Sequence, residues 1–173
     1  AEPNPSTDAQ FHPAENGWIR CLWPRYFGVR DFPLCSEIAE QLETGASTVH
    51  VYDGDFWEHL FLKGTERLHF FCSCPTYFDP DETESVDASV PRDPAALCAH
   101  LGIAEESIAR YLQTLPLAEP EPPAKKGFFS FLRRKADPVP EVGLKAYPGD
   151  EFELADFWVF VDFWKKLGIA YPD

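Results

Sequence analysis

The sequence lacks the features that would place it in a membrane or in a disulfide-stabilised fold. It contains no recognisable signal peptide and no run of about 18 apolar residues, so we expect no membrane-spanning helix. Its five cysteines are an odd number, and their spacings match no disulfide framework. Most of them lie within apolar runs, where a reduced thiol behaves as a small hydrophobic side chain. We therefore expect reduced cysteines and a reducing, cytoplasmic compartment.

Positive charge is also scarce. The chain has 15 lysines and arginines against 29 aspartates and glutamates, which gives a formal net charge of −14. An acidic surface repels phosphate and attracts cations, so we expect no nucleic-acid partner, whereas a basic protein partner is favoured. Residues 96–112 resemble a helix-turn-helix in their apolar spacing and turn glycine, but Glu105 and Glu106 stand at the end that would enter the major groove. We expect this segment to be a packing hairpin.

Motifs for catalysis and for metal binding are missing as well. There is no Gly-x-Ser-x-Gly, no phosphate-binding glycine loop, no His-Glu-x-x-His and no dinucleotide fingerprint. Cys72, Cys74, Cys98 and His100 lack the Cys-x-x-Cys spacing, and the last two point to different sides of a predicted helix. Residues 79–84 resemble the start of a calcium loop, but Glu84 stands where glycine is needed. We expect no metal and no cofactor, and a non-enzymatic role is favoured.

Apolar and aromatic residues are abundant, at 45% and 15% of 173 residues. This content predicts one α+β domain with an aromatic-rich core over 18–173, preceded by an extended polar arm over 1–17. A strand is predicted over 18–23, and a helix over 34–44 with Gly45 at its C-terminal cap.

The clearest unit is an antiparallel β-meander over 48–74, with turns at Asp53-Gly54 and Lys63-Gly64. A register set by two-residue turns places Glu58 opposite His69 and divides the meander into two faces. One face carries Tyr52, Trp57, Phe61, Leu68 and Phe70 with His50 and His59, and the other carries Val49, Val51, Phe56, Leu60 and Phe71. An αα-hairpin over 94–115 and a C-terminal helix within 150–168 are predicted to pack on this sheet, with a strand as the alternative for the last segment.

Two sets of residues are candidates for function. The acid–base groups of the meander would serve a hydrolase-like enzyme; they are His50, Asp55, Glu58, His59 and His69. The second set lies in a flexible proline-rich insertion over 116–143 and would dock on a partner or on a membrane surface. Its members are Lys125, Lys126, Phe128, Phe129, Phe131, Leu132, Arg133, Arg134 and Lys135. Alternatively, these aromatics fold back onto their own domain.

Together, these patterns favour a small acidic binding or regulatory protein that acts through protein–protein interaction, similar in character to bacterial immunity proteins. A hydrolase-like enzyme using the meander and a peripheral membrane adaptor using 125–135 are the alternatives.

Overall fold

Two antiparallel sheets and three α-helices form the part of the chain that the computed structural model describes, namely residues 9–23, 33–75, 77, 93–114 and 143–172. The α+β class is therefore confirmed. In chain order the elements are β1 (Gln10–Glu15), β2 (Trp18–Leu22), α1 (Pro33–Leu42), β3 (Gly45–Tyr52), β4 (Phe56–Lys63), β5 (Glu66–Cys72), α2 (Ala95–Leu101), two 3-10 turns (Glu105–Ser107 and Ala109–Tyr111) and α3 (Val159–Lys166). None of these helices is long and apolar enough to cross a membrane.

A β-hairpin formed by β1 and β2 replaces the later part of the predicted arm. Asn16 and Gly17 both have positive φ, 51° and 84°, which is the backbone of a tight two-residue hairpin turn. Glu15 pairs with Trp18 across this turn, and the Arg20 guanidinium bonds the Glu15 carboxylate at 2.8 Å. Residues 10–15 of the predicted extended arm thus form a strand that pairs with β2, and the Asn-Gly turn sets this pairing.

The meander is confirmed as a three-stranded sheet in the order β3-β4-β5, but the predicted faces are wrong by one residue. Tyr52 pairs with Phe56, so the β3–β4 connection has three residues instead of two. Asp53 and Gly54 adopt φ of 46° and 85°, and the Asp55 N–H closes the turn on the Tyr52 carbonyl at 2.7 Å. Because side chains alternate along a strand, the extra residue moves every side chain of β3 to the opposite face relative to the side chains of β4.

A bulge in β5 shifts the second pairing. Phe61 faces His69 whereas Leu62 faces Arg67, so Leu68 is the extra residue. Glu58 consequently lies opposite Cys72 and not opposite His69. One face of the sheet now carries Val49, Val51, Trp57, His59, Phe61, His69 and Phe71, and the other carries His50, Tyr52, Phe56, Glu58, Leu60 and Phe70.

The predicted helix at 34–44 is confirmed as α1, but its termination differs from the prediction. Glu43 takes the left-handed conformation after the helix, with φ of 48°, and the Thr44 N–H bonds the Ala39 carbonyl at 3.2 Å. Gly45 instead begins β3, where an added Cβ would lie 3.2 Å from Cζ of Phe61. Close packing against this ring, rather than helix capping, favours glycine at this position.

The predicted αα-hairpin is helical only in its first arm. The Asp93 carboxylate accepts the Ala95 N–H at 2.9 Å, and Gly102 ends α2 with φ of 68°. In the second arm Ile108 breaks the helix at φ −124°, leaving two 3-10 turns. The Tyr147 hydroxyl bonds the Glu106 carbonyl and receives the Arg110 N–H, so an outside side chain holds this arm in addition to its own short 3-10 hydrogen bonds.

The C-terminal segment is helical over Val159–Lys166, shorter than the predicted range, and Gly168 follows it with φ of 81°. Asp162 anchors the preceding segment on α3, because its carboxylate accepts the N–H groups of Glu151 and Phe152, each at 2.8 Å. Phe163 of α3 is fully buried against the sheet face that carries Trp57 and His59. The main core therefore lies between the sheet and α3, with α2 and the 3-10 turns at its side.

Helix α1 covers the other face of the sheet. Ala39 is fully buried and packs with Leu60 and Leu62 in a second, smaller core cluster. The sheet is thus sandwiched between α1 on one face and α3 on the other.

Candidate functional site

A cleft of about 880 Å³ lies between the β1–β2 hairpin, α1, β3 and the C-terminal segment. We call it the edge cleft, since β3 is an outer strand of the meander. Residues 18–23 of the hairpin and 45–51 of β3 form two of its sides. The rest of the wall includes four aromatic side chains, namely Phe157, Phe160, Trp164 and Tyr171. A volume of this size and a lining that is more apolar than polar are typical of a ligand-binding cleft.

Among the described residues, two side-chain hydrogen bonds and an aromatic contact join the hairpin side of the cleft to the rest of the fold. The Asn16 side-chain amide bonds the Gly168 carbonyl at 3.3 Å, and Arg20 bonds the Ala170 carbonyl at 3.4 Å. Trp18 adds an edge-to-face contact with Phe61, with ring centroids 6.1 Å apart. Within the described segments, this side of the cleft is therefore a two-stranded flap that bonds the C-terminal tail and contacts Phe61 of β4.

A chain of hydrogen bonds runs from the cleft wall into the core. The Trp164 indole N–H donates to Ser47 Oγ at 3.0 Å, and Ser47 Oγ lies 2.9 Å from Nε2 of His59. His59 Nδ1 is in turn 3.0 Å from Nδ1 of His69. Both imidazoles are fully buried, and Nε2 of His69 has no hydrogen-bond partner within the described ranges. Ser47 and Trp164 line the cleft, so the chain connects its wall to a buried histidine pair.

The histidine pair is neutral at physiological pH. Burial, together with the neighbouring His69, lowers the pKa of His59 well below its ordinary value of 6.5. Burial also lowers the pKa of His69 to about 4, although the charge of Asp93 acts in the opposite direction. One Nδ1 must carry a proton and the other must accept it, so adding a second proton would place two N–H groups against each other. The pair is stable only while one ring donates and the other accepts.

A serine hydroxyl on a histidine that contacts a further oriented group is the arrangement of an activated nucleophile. Here the third group is a neutral imidazole instead of a carboxylate. His59 and His69 were predictable from the sequence but Ser47 was not, because a register with a two-residue turn does not place Ser47 on the same face as His59. The three-residue connection between β3 and β4 is the feature that brings Ser47 and His59 onto one face.

The remaining acid–base candidates do not join this chain. His50 lies on the other sheet face, directly across from Glu58 in the register and 4.2 Å from the Tyr52 ring centroid, and burial lowers its pKa. Asp55 is exposed in the turn after β3, where it accepts a hydrogen bond from the Tyr77 hydroxyl at 2.6 Å. Of the five predicted groups, the fold therefore brings two together in the core and leaves three elsewhere.

The cysteines and acidic residues of the described segments form no metal centre. No group of three or more His, Cys, Asp or Glu side chains converges within those segments. All five thiols are free, and burial raises the pKa of Cys35 to about 12. The Cys72 pKa is raised by burial and then by the charge of Glu58 across the strands. A buried thiol with a raised pKa is unreactive at neutral pH, which fits a packing role.

The basic–aromatic segment over 125–135 lies outside the described residues, so its predicted docking role stays a prediction. The edge cleft was also missed by the sequence analysis, since its walls come from four separate parts of the chain. Comparison with protein-family models, with curated proteins and with solved structures found no match.

Proposed function

We propose that the chain is a binding protein and that the edge cleft is its recognition site. The observation that carries this proposal is a concave surface of about 880 Å³ lined by aromatic side chains and by two strands. The tryptophans of the cleft are partly exposed, and tryptophan is often an energetic centre of a recognition site, because burying its remaining surface removes apolar area from water. Ligand binding there would bury this surface.

The charge of the molecule supports a protein partner more than an anionic ligand. The formal net charge is −14, and at the cleft Arg20 is already neutralised by its contact with Glu15. Asp53 adds an exposed carboxylate at one end. An apolar segment flanked by basic residues would fit both the lining and the long-range field.

Filling the cleft tests the proposal. Thr48 is half-buried on β3 and lines the cleft, so Thr48→Trp should occupy part of the volume with a residue that β-strands accept. Thr65→Trp in the exposed β4–β5 turn is the matched control. Both variants and the parent are used for affinity capture from a native cell extract, after thermal melts confirm folding. A partner retained by the parent and by Thr65→Trp but lost by Thr48→Trp supports the cleft; retention by all three contradicts it.

Intrinsic fluorescence offers a second readout. Trp18, Trp23 and Trp164 line the cleft, which makes three of the five tryptophans sensitive to its occupation. A captured partner, or a peptide derived from it, should therefore change the emission of the parent protein but not that of Thr48→Trp to the same extent.

A hydrolase-like activity is the second candidate, favoured by the 2.9 Å contact between Ser47 Oγ and His59 Nε2 at the cleft wall. An active serine should react covalently with a fluorophosphonate, giving a mass increase that maps to Ser47 and is absent from Ser47→Ala. A fully unlabelled parent protein would exclude this candidate.

The third candidate, a membrane adaptor using 125–135, is tested by sedimentation with anionic vesicles at low and high salt. Binding that is lost when Arg133 and Arg134 are both replaced by glutamine would support it.

A further inference from the structure

The edge cleft meets β3 along the edge of the strand and not on one face of the sheet. All seven residues of 45–51 contribute to the lining. Successive side chains of a strand point to opposite faces of the sheet, so a ligand on one face would meet only alternate residues. Contact with consecutive residues means that the cleft approaches β3 along its edge, where the main chain is accessible.

The hydrogen-bond pattern identifies the groups on that edge. The Gly64 N–H bonds the Thr44 carbonyl at 3.1 Å, which makes Thr44–Gly64 a hydrogen-bonded pair in the β3–β4 register. Because such pairs alternate along an antiparallel ladder, the even-numbered residues of β3 bond to β4. The β4–β5 ladder agrees with this assignment. The Ser73 N–H bonds the Trp57 carbonyl at 2.9 Å, so the odd-numbered residues of β4 bond to β5 and its even-numbered residues bond to β3.

The odd-numbered residues of β3 therefore direct their main-chain groups away from β4 and into the cleft. These residues are Gly45, Ser47, Val49 and Val51, each with one N–H and one carbonyl. No main-chain partner for them is found among the described residues. They recur every two residues, about 6.7 Å apart, which is the repeat at which another strand presents its own donors and acceptors.

The two outer strands of the meander differ in how their edges are protected. At the far edge, β5 begins with Glu66 and Arg67 and carries the bulge at Leu68, and these are features that hinder strand pairing. In contrast, β3 has the sequence Gly-Ala-Ser-Thr-Val-His-Val-Tyr, with no proline, lysine, arginine or carboxylate. An uncharged, regular eight-residue edge is the type of edge that accepts an added strand.

The layers on either side of the sheet extend over this edge. Leu34 and Ile38 of α1 line the cleft on one face, and Phe160 and Trp164 of α3 line it on the other. A strand added beside β3 would therefore be covered on both faces by apolar side chains, as in the centre of a sheet.

We infer that the edge cleft receives an extended segment of a partner polypeptide, which pairs with β3 as an additional strand. This inference rests on the proposed function and specifies its ligand. The segment should have four to six uncharged residues, mainly β-branched or aromatic, because both of its faces meet apolar walls. Lysine or arginine at its ends would suit the net charge of −14.

The test uses a phage-displayed library of random heptapeptides selected against the full chain. A selected peptide is synthesised in three forms: unmodified, N-methylated at its odd positions, and N-methylated at its even positions. Methylation removes main-chain donors without altering side chains. Strand addition predicts that one methylated form binds about tenfold or more weakly, from the loss of two or more main-chain hydrogen bonds, while the other form is much less affected.

Variants of β3 provide a second test, in which the protein is changed instead of the peptide. Val49→Pro removes an N–H that points into the cleft and leaves the ladder to β4 intact, as proline does at strand edges. Val49→Ala is the control for the side chain. We expect about a fivefold or greater loss of peptide affinity in Val49→Pro relative to Val49→Ala, if both variants retain the parent circular dichroism. If Val49→Pro does not fold, the methylated peptides still decide the question with the unaltered protein.

The possible outcomes distinguish a failure of strand addition from a failure of the cleft as a binding site. Peptides that are blocked by Thr48→Trp but tolerate both methylation patterns would overturn strand addition and leave the cleft as a binding site. Peptides unaffected by Thr48→Trp, or a library that yields none, would overturn both proposals. A concentration-dependent dimer abolished by Val49→Pro would show that a second copy of the chain, instead of a partner, occupies the edge.

Discussion

Replacing His69 by glutamine should make the stability of the protein less dependent on pH. In the folded chain His69 is buried, and its pKa is lowered from 6.5 to about 4. The unfolded chain therefore binds a proton on this residue more readily than the folded chain does. Its contribution to stability is present above pH 6.5 and is lost as the pH falls from 6.5 towards 4.

The size of the effect follows from the pKa difference. The interval from 6.5 to about 4, at about 1.4 kcal/mol per pKa unit, corresponds to roughly 3 kcal/mol of unfolding free energy. His59 adds a contribution of the same sign, because its pKa is also lowered. Glutamine at position 69 can still hydrogen-bond His59 Nδ1 but does not titrate, so the His69 contribution disappears together with the part of the His59 pKa lowering that comes from the His69 charge.

Urea denaturation followed by tryptophan fluorescence at pH 7.5, 6.5, 5.5 and 4.5 measures this directly. Each protein gives a slope of unfolding free energy against pH. Carboxylates titrate in the parent and in His69→Gln alike, so the difference between the two slopes reports the effect of the histidine. The exposed His100 provides the control, since His100→Gln removes an imidazole without touching the buried pair. Equal pH dependence of parent and His69→Gln would refute the neutral buried pair.

Further predictions concern packing and backbone conformation, and thermal melts with denaturant titration check each of them. Phe163→Ala should lower the unfolding free energy by about 3–5 kcal/mol, because Phe163 is 0% exposed in the main core. Gly54→Ala should cost more than Gly64→Ala: both have positive φ, but only at Gly54 would the new Cβ meet a ring, Phe157 Cε1 at 3.3 Å. Glu43→Gly should stabilise the chain by up to about 1 kcal/mol, since Glu43 holds a left-handed φ of 48° that glycine adopts without strain.

The elements were predictable where short-range signals are strong. Alternating apolar residues and glycine-containing turns located β3, β4 and β5, and Asp93 with Gly102 bounded α2. Register was not predictable in the same way. Asp53-Gly54 is compatible with either a two- or a three-residue connection, and the choice depends on packing of the whole sheet.

The candidate site could not be read from the sequence because its parts are distant along the chain. Ser47 and Trp164 are 117 residues apart and meet only when α3 packs on the sheet. A one-residue change of register also decides whether Ser47 faces His59 or the opposite layer. The sequence did contain one usable signal, since β3 lacks the charges and prolines that usually protect an edge strand.

The contacts of Ser47 fit recognition better than catalysis, for an energetic reason. A general base must take the serine proton and carry the positive charge while the bond to substrate forms. For His59 that charge would arise in an apolar core beside a neutral imidazole, and the lowered pKa shows that the folded protein disfavours it. The same bonds are well suited to fixing Trp164, whose indole N–H is satisfied by Ser47 while its ring faces the cleft. A buried polar chain whose members orient one another stabilises a single arrangement of the wall, and a pre-organised wall lowers the entropy lost on binding.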